Sequence, residues 1–415
     1  MISLNEALAA YQQHLGPLPP VCVPLEHALG LCLQEDTASL TDLPRFDQSA
    51  MDGYALRSGD TEQATDQHPL ELQIAGRTAA GETPADNALP TNTAWRIFTG
   101  AAIPAGADTV VPQERVEANK GTITLKQPCP AARNIRYQGE ELRRDDIVGK
   151  AGSRLTPGLI AALIMAGHKS VNVVPTPRIS LIITGDELRD AGSALKTGEI
   201  HDSNGPLVTQ WLQSQGLSVA YQTRLSDSQA DIQATLDNAL QTSDLVITTG
   251  GASVGAHDFL PAAARQCGVE QIFWKVAQKP GKPIFFGTYA NTPGQPPAAL
   301  LCLPGNPGAV LIGLCLHVYS VLNIMSGHAG PALRWQHGQL KQDTPADKQR
   351  TRLVRMQQRI SSEGQIELQP MGRQDSHMMS NLSQADVLVR IDAADTTCKR
   401  GTVLPFIPIY PGMAL

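Results

Sequence analysis

The 415-residue sequence predicts a multidomain α/β plus β protein. Its parts are a central parallel α/β domain, an inserted mainly-β domain, an elongated helix-containing support and a C-terminal β-barrel. Three observations carry this expectation. Strand-like and helix-like runs alternate over residues 178–326, residues 46–146 are turn-rich with short β-type runs, and strands return from about residue 330. At roughly 150 residues per domain, the chain is also too long for one ordinary core.

In chain order, "MISLNEALAAYQQHLG" reads as a helix. Ser3 can cap it and Glu6 can complete a capping box, with Leu4, Leu8, Tyr11 and Leu15 along one face. It lacks the basic start and apolar core of a signal peptide. The runs "LELQIAG", "AWRIFTG", "DTVVPQERV" and "GTITLKQ" make 46–146 a strand-rich unit. Residues 154–167, "RLTPGLIAALIMAG", form a helix with Thr156 as cap and Pro157 in its first turn. The 46–146 unit is therefore expected as an insertion within a discontinuous support, residues 1–45 with 147–177.

Over 178–327 the order is the strand "RISLIIT", the helix "NGPLVTQWLQSQG", "LSVAYQTR", the helix "SQADIQATLDNAL", the strand "DLVITT" and a helix over about 258–267. The strands "QIFWKVA" and "AALLCLP" follow, and a long apolar helix over 308–325 closes the unit. Alternation at this spacing implies right-handed crossovers and a mostly parallel sheet covered on both faces. The 308–325 run is long enough to span a membrane, but His317 and Asn323 interrupt it and "PGNPG" precedes it. It reads as a buried helix of the α/β unit. Residues 328–415 hold "RTRLVRMQQRISSEGQIELQP", with a turn at Glu363–Gly364, then "ADVLVRID" and "GTVLPFIPI", as a small barrel requires.

Composition narrows the function. A hydrophobic content of 42% with 17% charged residues is that of a globular protein. A net charge of -6 gives no electrostatic case for nucleic acid or a bilayer surface, so an anionic ligand must be held by local geometry or by a cation. Seven cysteines without a CxxC pair indicate neither zinc nor a disulfide framework, and the cytoplasm is the expected compartment.

In an open parallel sheet, ligands sit beyond the carboxyl ends of the strands. Five segments collect there: Gly185-Asp186-Glu187, the "HDSNG" turn with Asp202, Ser203 and Asn204, the "GGASVGAHD" loop, "QKPGKP", and Gly305-Asn306-Pro307-Gly308. Gly250, Gly251 and Ser253 would let a phosphate approach backbone N–H groups. Lys275, Lys279 and Lys282 supply positive charge around Gly281. Asp258 closes the glycine loop, where a carboxylate would repel a phosphate unless a divalent cation lay between them. Mg²⁺ is the usual such ion. Neither a Walker loop nor a G-x-G-x-x-G fingerprint is present. Singly, each turn is equally well a plain strand-to-helix connection; together they predict a polyanion site.

These segments, with "PRFDQSAMDGYALR" (44–57), "RIFTGAAIPAGADTVV" (96–111), "NIRYQGEEL" (134–142) and "LPGNP", resemble the molybdopterin molybdenumtransferase family in order and over nearly the whole chain. The same family supplies the E domain of gephyrin-type proteins. The resemblance implies an elongated homodimer with the cleft shared between subunits. It also implies the reaction: molybdate is the substrate inserted into the dithiolene of adenylylated molybdopterin, and Mg²⁺-dependent hydrolysis releases AMP. The residues themselves point to a phosphate and a divalent metal; pterin and molybdenum come from the resemblance alone.

By resemblance, Asp52 falls on a functional acid of the inserted domain, and Thr99 and Arg136 fall near the cleft. Glu187 and Asp258 fall on acids of the cofactor-binding edge, and Asp227 joins them as a candidate metal ligand, although a helix N-cap would explain it equally. Lys275 and Lys279 match basic residues for phosphate or molybdate. Pro304 and Pro307 match the turn bearing the last helix, and Ser376 a polar loop of the C-terminal domain. Glu141, a candidate metal ligand, is a departure: the family usually carries Gly-Glu-Asp where this chain has Gly139-Glu140-Glu141, so a metal or oxyanion site tuned to aspartate is extended by one methylene. Two rival readings are the related molybdopterin adenylyltransferase, itself expected as a partner, and a non-catalytic scaffold like the gephyrin E domain. The first has no use for the inserted and C-terminal domains. The second would not need Asp52, Glu187, Asp258, Lys275 and Lys279.

Overall fold

The computed structural model describes residues 1–83, 88–251, 259–290, 294–378 and 380–410. At its centre is a six-stranded sheet in the order Val219–Leu225, Ile179–Thr184, Leu245–Thr249, Ala298–Leu303, Phe285–Tyr289, Glu270–Trp274. The first four strands are parallel. The last two are antiparallel and form an edge. Phe285–Tyr289 is a strand that the sequence reading passed over, between the lysine-bearing turn and the strand over Ala298–Leu303. Every residue of Ile179–Thr184 and Leu245–Thr249 is buried, as expected of strands covered on both faces. Strand periodicity divides them: Leu181, Ile183, Ile247 and Leu301 pack into one core, and Ile182, Val246 and Leu300 into another on the opposite face.

The apolar Pro307–Met325 run is helical and mostly buried against that first core, which accounts for its hydrophobicity. A single π-turn, Leu314–Val318, interrupts it. The N-terminal helix Leu4–His14 has the expected capping box, with Ser3 Oγ accepting from the Glu6 N–H and the Glu6 carboxylate accepting from the Ser3 N–H. By packing it belongs to the α/β unit, because Leu4, Ala7 and Tyr11 are buried in the same core. The chain that follows pairs with the support: Val21–Pro24 and Cys32–Leu33 flank Ser170–Val174 in an antiparallel sheet. The helix Pro157–Met165, capped by Thr156 Oγ1, packs there against Leu25 and Leu33.

Strands between Gly53 and Leu125 form a separate six-stranded sheet with its own core around Tyr54, Leu56, Leu72 and Ile123. In the C-terminal part, Gln336–Leu340, Thr351–Ile360, Ile366–Pro370, Val387–Ile391 and Val403–Pro408 close into a barrel, the last link being the pairing of Thr351–Ile360 with Val387–Ile391. Leu340, Val354, Met356, Leu368, Val389 and Phe406 fill it. A two-residue strand, Gln278–Lys279, adds in parallel to Thr351–Arg352, so the lysine-bearing turn of the α/β unit is anchored on the barrel.

Candidate active site

A cleft of about 930 Å³ lies beyond the carboxyl ends of the parallel strands, between the α/β unit and the barrel. All five expected turns contribute to it. Glu187, Asp227, Gly250, Gly251, Lys279, Lys282, Pro304, Pro307 and Ser376 line it. Ser253 and Asp258 lie outside the described residues.

Local chemistry explains how the turns converge. Gly250 has φ +89°, and a β-carbon there would stand 2.4 Å from the Thr184 carbonyl oxygen, so only glycine lets the two strand ends approach this closely. Asn204 Nδ2 donates to the Gly305 carbonyl at 2.7 Å and ties the second turn to the last. Asp202 Oδ1 accepts from the N–H groups of Asn204 and Gly205, each at 3.0 Å, which starts the Asn204–Ser214 helix. The Asp227 N–H donates to Asp186 Oδ1 at 3.0 Å, holding the first turn against the loop after Val219–Leu225. Among the described residues, the buried Thr184 Oγ1 and Asn204 Oδ1 have no hydrogen-bond partner. Both residues belong to the cleft wall, with these two oxygens shielded from solvent.

The barrel closes the other side. The Gly308 N–H donates to the Ser376 carbonyl at 2.9 Å, and Asn306 Nδ2 to Ser376 Oγ at 3.0 Å, so the loop of Ser376 sits on the start of the last helix. Arg355 is buried, and its guanidinium donates to the carbonyls of Asp375 at 3.0 Å and Met378 at 3.3 Å. Asp347 accepts from Arg350 at 3.1 Å and lies 3.7 Å from Lys279 Nζ. Hydrogen bonding from the Gln349 N–H, aided by Arg350 and Lys279, holds its carboxyl below the usual range.

Arg350 and Arg352 also line the cleft and were missed in the sequence. Arg352 lies at the start of the strand Thr351–Ile360, and Arg350 immediately precedes it. Among the described residues the lining then carries four cations (Lys279, Lys282, Arg350, Arg352) against three carboxylates (Glu187, Asp227, Asp375). The balance attracts an anion but is too slight to neutralise a polyphosphate unaided.

The remaining candidates stand apart. Lys275 has φ +75° and its ammonium lies 4.4 Å from the centre of the Trp274 ring, outside the cleft lining. In the inserted unit, Asp52 Oδ1 accepts from the Thr99 N–H and Oγ1, each at 2.8 Å, and the N–H is the main reason that its carboxyl is held below the ordinary range. Arg136 is exposed in a two-residue strand paired with Gln48–Ser49. The Glu141 N–H donates to the Leu43 carbonyl at 3.0 Å. None of Asp52, Thr99, Arg136 and Glu141 lines the cleft of the same chain.

Comparison with known proteins agrees with this layout. Three family profiles match in order: the MoeA N-terminal region (domain I and II) over residues 2–167, the probable molybdopterin binding domain over 180–323, and the MoeA C-terminal region (domain IV) over 337–409. A molybdopterin molybdenumtransferase of Staphylococcus aureus is 33% identical over 407 residues, covering 98% of this chain and 95% of the relative. One from Staphylococcus epidermidis is 31% identical over the same length, with the same coverage of both chains. The crystal structure of the molybdopterin biosynthesis moeA protein of Pyrococcus horikoshii superimposes with a TM-score of 0.82 at 26% identity, over 98% of this chain and 99% of that one. With likeness running from end to end through every unit that builds the cleft, the chain belongs to the molybdopterin molybdenumtransferase family.

Proposed function

We propose that the cleft binds adenylylated molybdopterin and molybdate, and that the protein inserts the metal into the dithiolene while the phosphoanhydride is hydrolysed and AMP released. The observation that carries this reading is the convergence of five strand-end turns and a barrel loop on one cleft holding both cations and acids. Lys279, Lys282, Arg350 and Arg352 offset the repulsion between two anionic substrates. Gly250 and Gly251 bring the backbone at the end of Leu245–Thr249 into the cleft wall, beside Thr184 and Asn204.

Mg²⁺ fits this lining. Glu187 and Asp227 would hold it, since magnesium typically takes one or two carboxylates together with substrate phosphates and water. When bound, the ion supplies charge neutralisation between phosphate and acid.

The second subunit of a homodimer supplies Asp52, Thr99, Arg136 and Glu141 in this proposal, because none of them reaches the cleft of its own chain. The adenylyltransferase reading leaves the sheet of 53–125 and the C-terminal barrel without a role. The scaffold reading leaves the lysines and acids without one.

The test is AMP release from adenylylated molybdopterin with Mg²⁺, with and without molybdate, on the wild type and Glu187→Gln. Molybdate-dependent release that the substitution abolishes supports the transferase. A wild type that binds the substrate but releases no AMP under any condition sinks it and favours the scaffold.

A further inference from the structure

Beneath the cleft runs a chain of buried hydrogen bonds that the site above does not use. Tyr11 on the N-terminal helix, His317 in the π-turn and Gln278 each have no exposed surface. Tyr11 Oη lies 2.8 Å from His317 Nδ1, and His317 Nε2 lies 2.9 Å from Gln278 Oε1. Gln278 Nε2 donates to the Gly281 carbonyl at 3.2 Å.

Chemistry gives this chain a direction. A carbonyl only accepts, so the Gln278 amide nitrogen must face Gly281 and its oxygen must face the histidine. That oxygen also only accepts, so the proton sits on His317 Nε2. Burial keeps the ring neutral, its pKa lowered to about 3, which leaves Nδ1 bare to accept from the Tyr11 hydroxyl. Each link fixes the next, and one arrangement of protons satisfies all of them.

The far end of the chain is functional ground. Gly281 lies between Lys279 and Lys282, which both line the cleft. It has φ +89°, and a β-carbon on it would meet Gln278 Nε2 at 2.7 Å, so the amide is packed directly under the turn. The histidine occupies the one π-turn of its helix among the described residues, and such turns concentrate at functional sites.

We propose that Tyr11, His317 and Gln278 are positioning residues that hold the Lys279–Lys282 turn where its two ammonium groups meet the anionic groups of the substrate. This rests on the reading of the cleft as the substrate site. Tyr11 and His317 act only through Gln278 and the turn.

The experiment measures KM for adenylylated molybdopterin, kcat and thermal midpoint for the wild type, Lys279→Ala, Tyr11→Phe, Gln278→Met and the double variant Tyr11→Phe/Gln278→Met. Lys279→Ala tests the cleft and is expected to raise KM. Gln278→Met is expected to raise KM about tenfold, the factor that corresponds to one ordinary hydrogen bond. Tyr11→Phe should raise it less, and the double variant should be no worse than Gln278→Met alone, because the tyrosine acts through the glutamine. Unchanged KM in both single variants, or effects that multiply in the double variant, would overturn the relay provided that Lys279→Ala raises KM. Unchanged KM in Lys279→Ala as well overturns the substrate reading of the cleft and the relay with it. Selective ¹⁵N labelling of histidine gives a readout independent of catalysis: the wild-type His317 ring should carry its proton on Nε2, and an Nδ1–H ring would refute the relay.

Discussion

Replacing Gly250 by alanine separates two reasons for a glycine at the end of Leu245–Thr249. Sequence reasoning assigns it to the approach of an anion; the structure adds a demand from the protein itself. With φ +89°, an L-residue pays about 1–2 kcal/mol for the left-handed backbone. The new β-carbon would lie 2.4 Å from the Thr184 carbonyl oxygen and 2.7 Å from Thr184 Oγ1. The first contact is backbone to backbone, so no rotamer change relieves it. Relief means moving apart the ends of two strands that pair through Ile183 and Thr249, at about 1–3 kcal/mol for overpacking. The sum is about 2–5 kcal/mol. Urea unfolding at constant m-value measures the loss, with Gly59→Ala as control, since Gly59 has open space and no positive φ. Gly250→Ala within about 0.5 kcal/mol of wild type, the range of an ordinary surface change, would refute the strand-end argument. A stable variant with a raised substrate KM would leave the anion as the sole reason for the glycine.

Other consequences follow from the same geometry. Because the folded pKa of His317 is depressed to about 3 from 6.5, its contribution is fully present above pH 6.5 and is lost as pH falls from there toward the folded value. At 1.36 kcal/mol per unit this is about 2 kcal/mol by pH 5, and urea midpoints against pH should show a steeper fall in wild type than in His317→Gln. Thr99→Val removes a hydroxyl donor from Asp52 and should raise its carboxyl pKa toward the ordinary value, read by NMR titration; no change would mean that the hydroxyl bond is absent in solution. Gly308→Ala would place a methyl 2.5 Å from Arg355 Nη1 and 2.8 Å from the Ser376 carbonyl oxygen. It should cost about 1–3 kcal/mol in unfolding measurements and raise KM for adenylylated molybdopterin, since the Ser376 loop must shift.

How much of this was legible depends on the range of the physics involved. The capping box at Ser3 and Glu6 spans three residues and could be read directly. The five turns were legible because the parallel sheet is itself a rule about where loops gather. What the N-terminal helix packs against was not legible, because an amphipathic face shows only that it is covered. The hydrogen bond from Tyr11 to His317 joins residues 306 positions apart, and a single sequence does not show which buried polar residues will find each other. Phe285–Tyr289 escaped notice for a different reason: Gly287 sits in the middle of a five-residue run and breaks up its β-type composition. Lys275 is a different case: the resemblance pairs it with Lys279, and in one chain its ammonium stacks on Trp274 outside the cleft lining.

The C-terminal barrel is part of the site by the way its charges are placed. A buried guanidinium is costly unless its donors are used, and Arg355 gives its own to the backbone carbonyls of Asp375 and Met378 rather than to a nearby carboxylate side chain. Gln374 reinforces the same loop, accepting from the Arg355 N–H and donating to the Arg355 carbonyl. Burying apolar side chains would stabilise a barrel more simply. What the arginine adds is a defined path for the loop that bears Ser376, which then meets Asn306 and Gly308 at the head of the last α/β helix. On the other flank, the pairing of Gln278–Lys279 with Thr351–Arg352 places Lys279 beside the two cleft-lining arginines. Like charges brought together need an acid, and Asp347 stands between Arg350 and Lys279. The cationic side of the cleft is thus assembled across the junction, with neither the sheet nor the barrel carrying it alone.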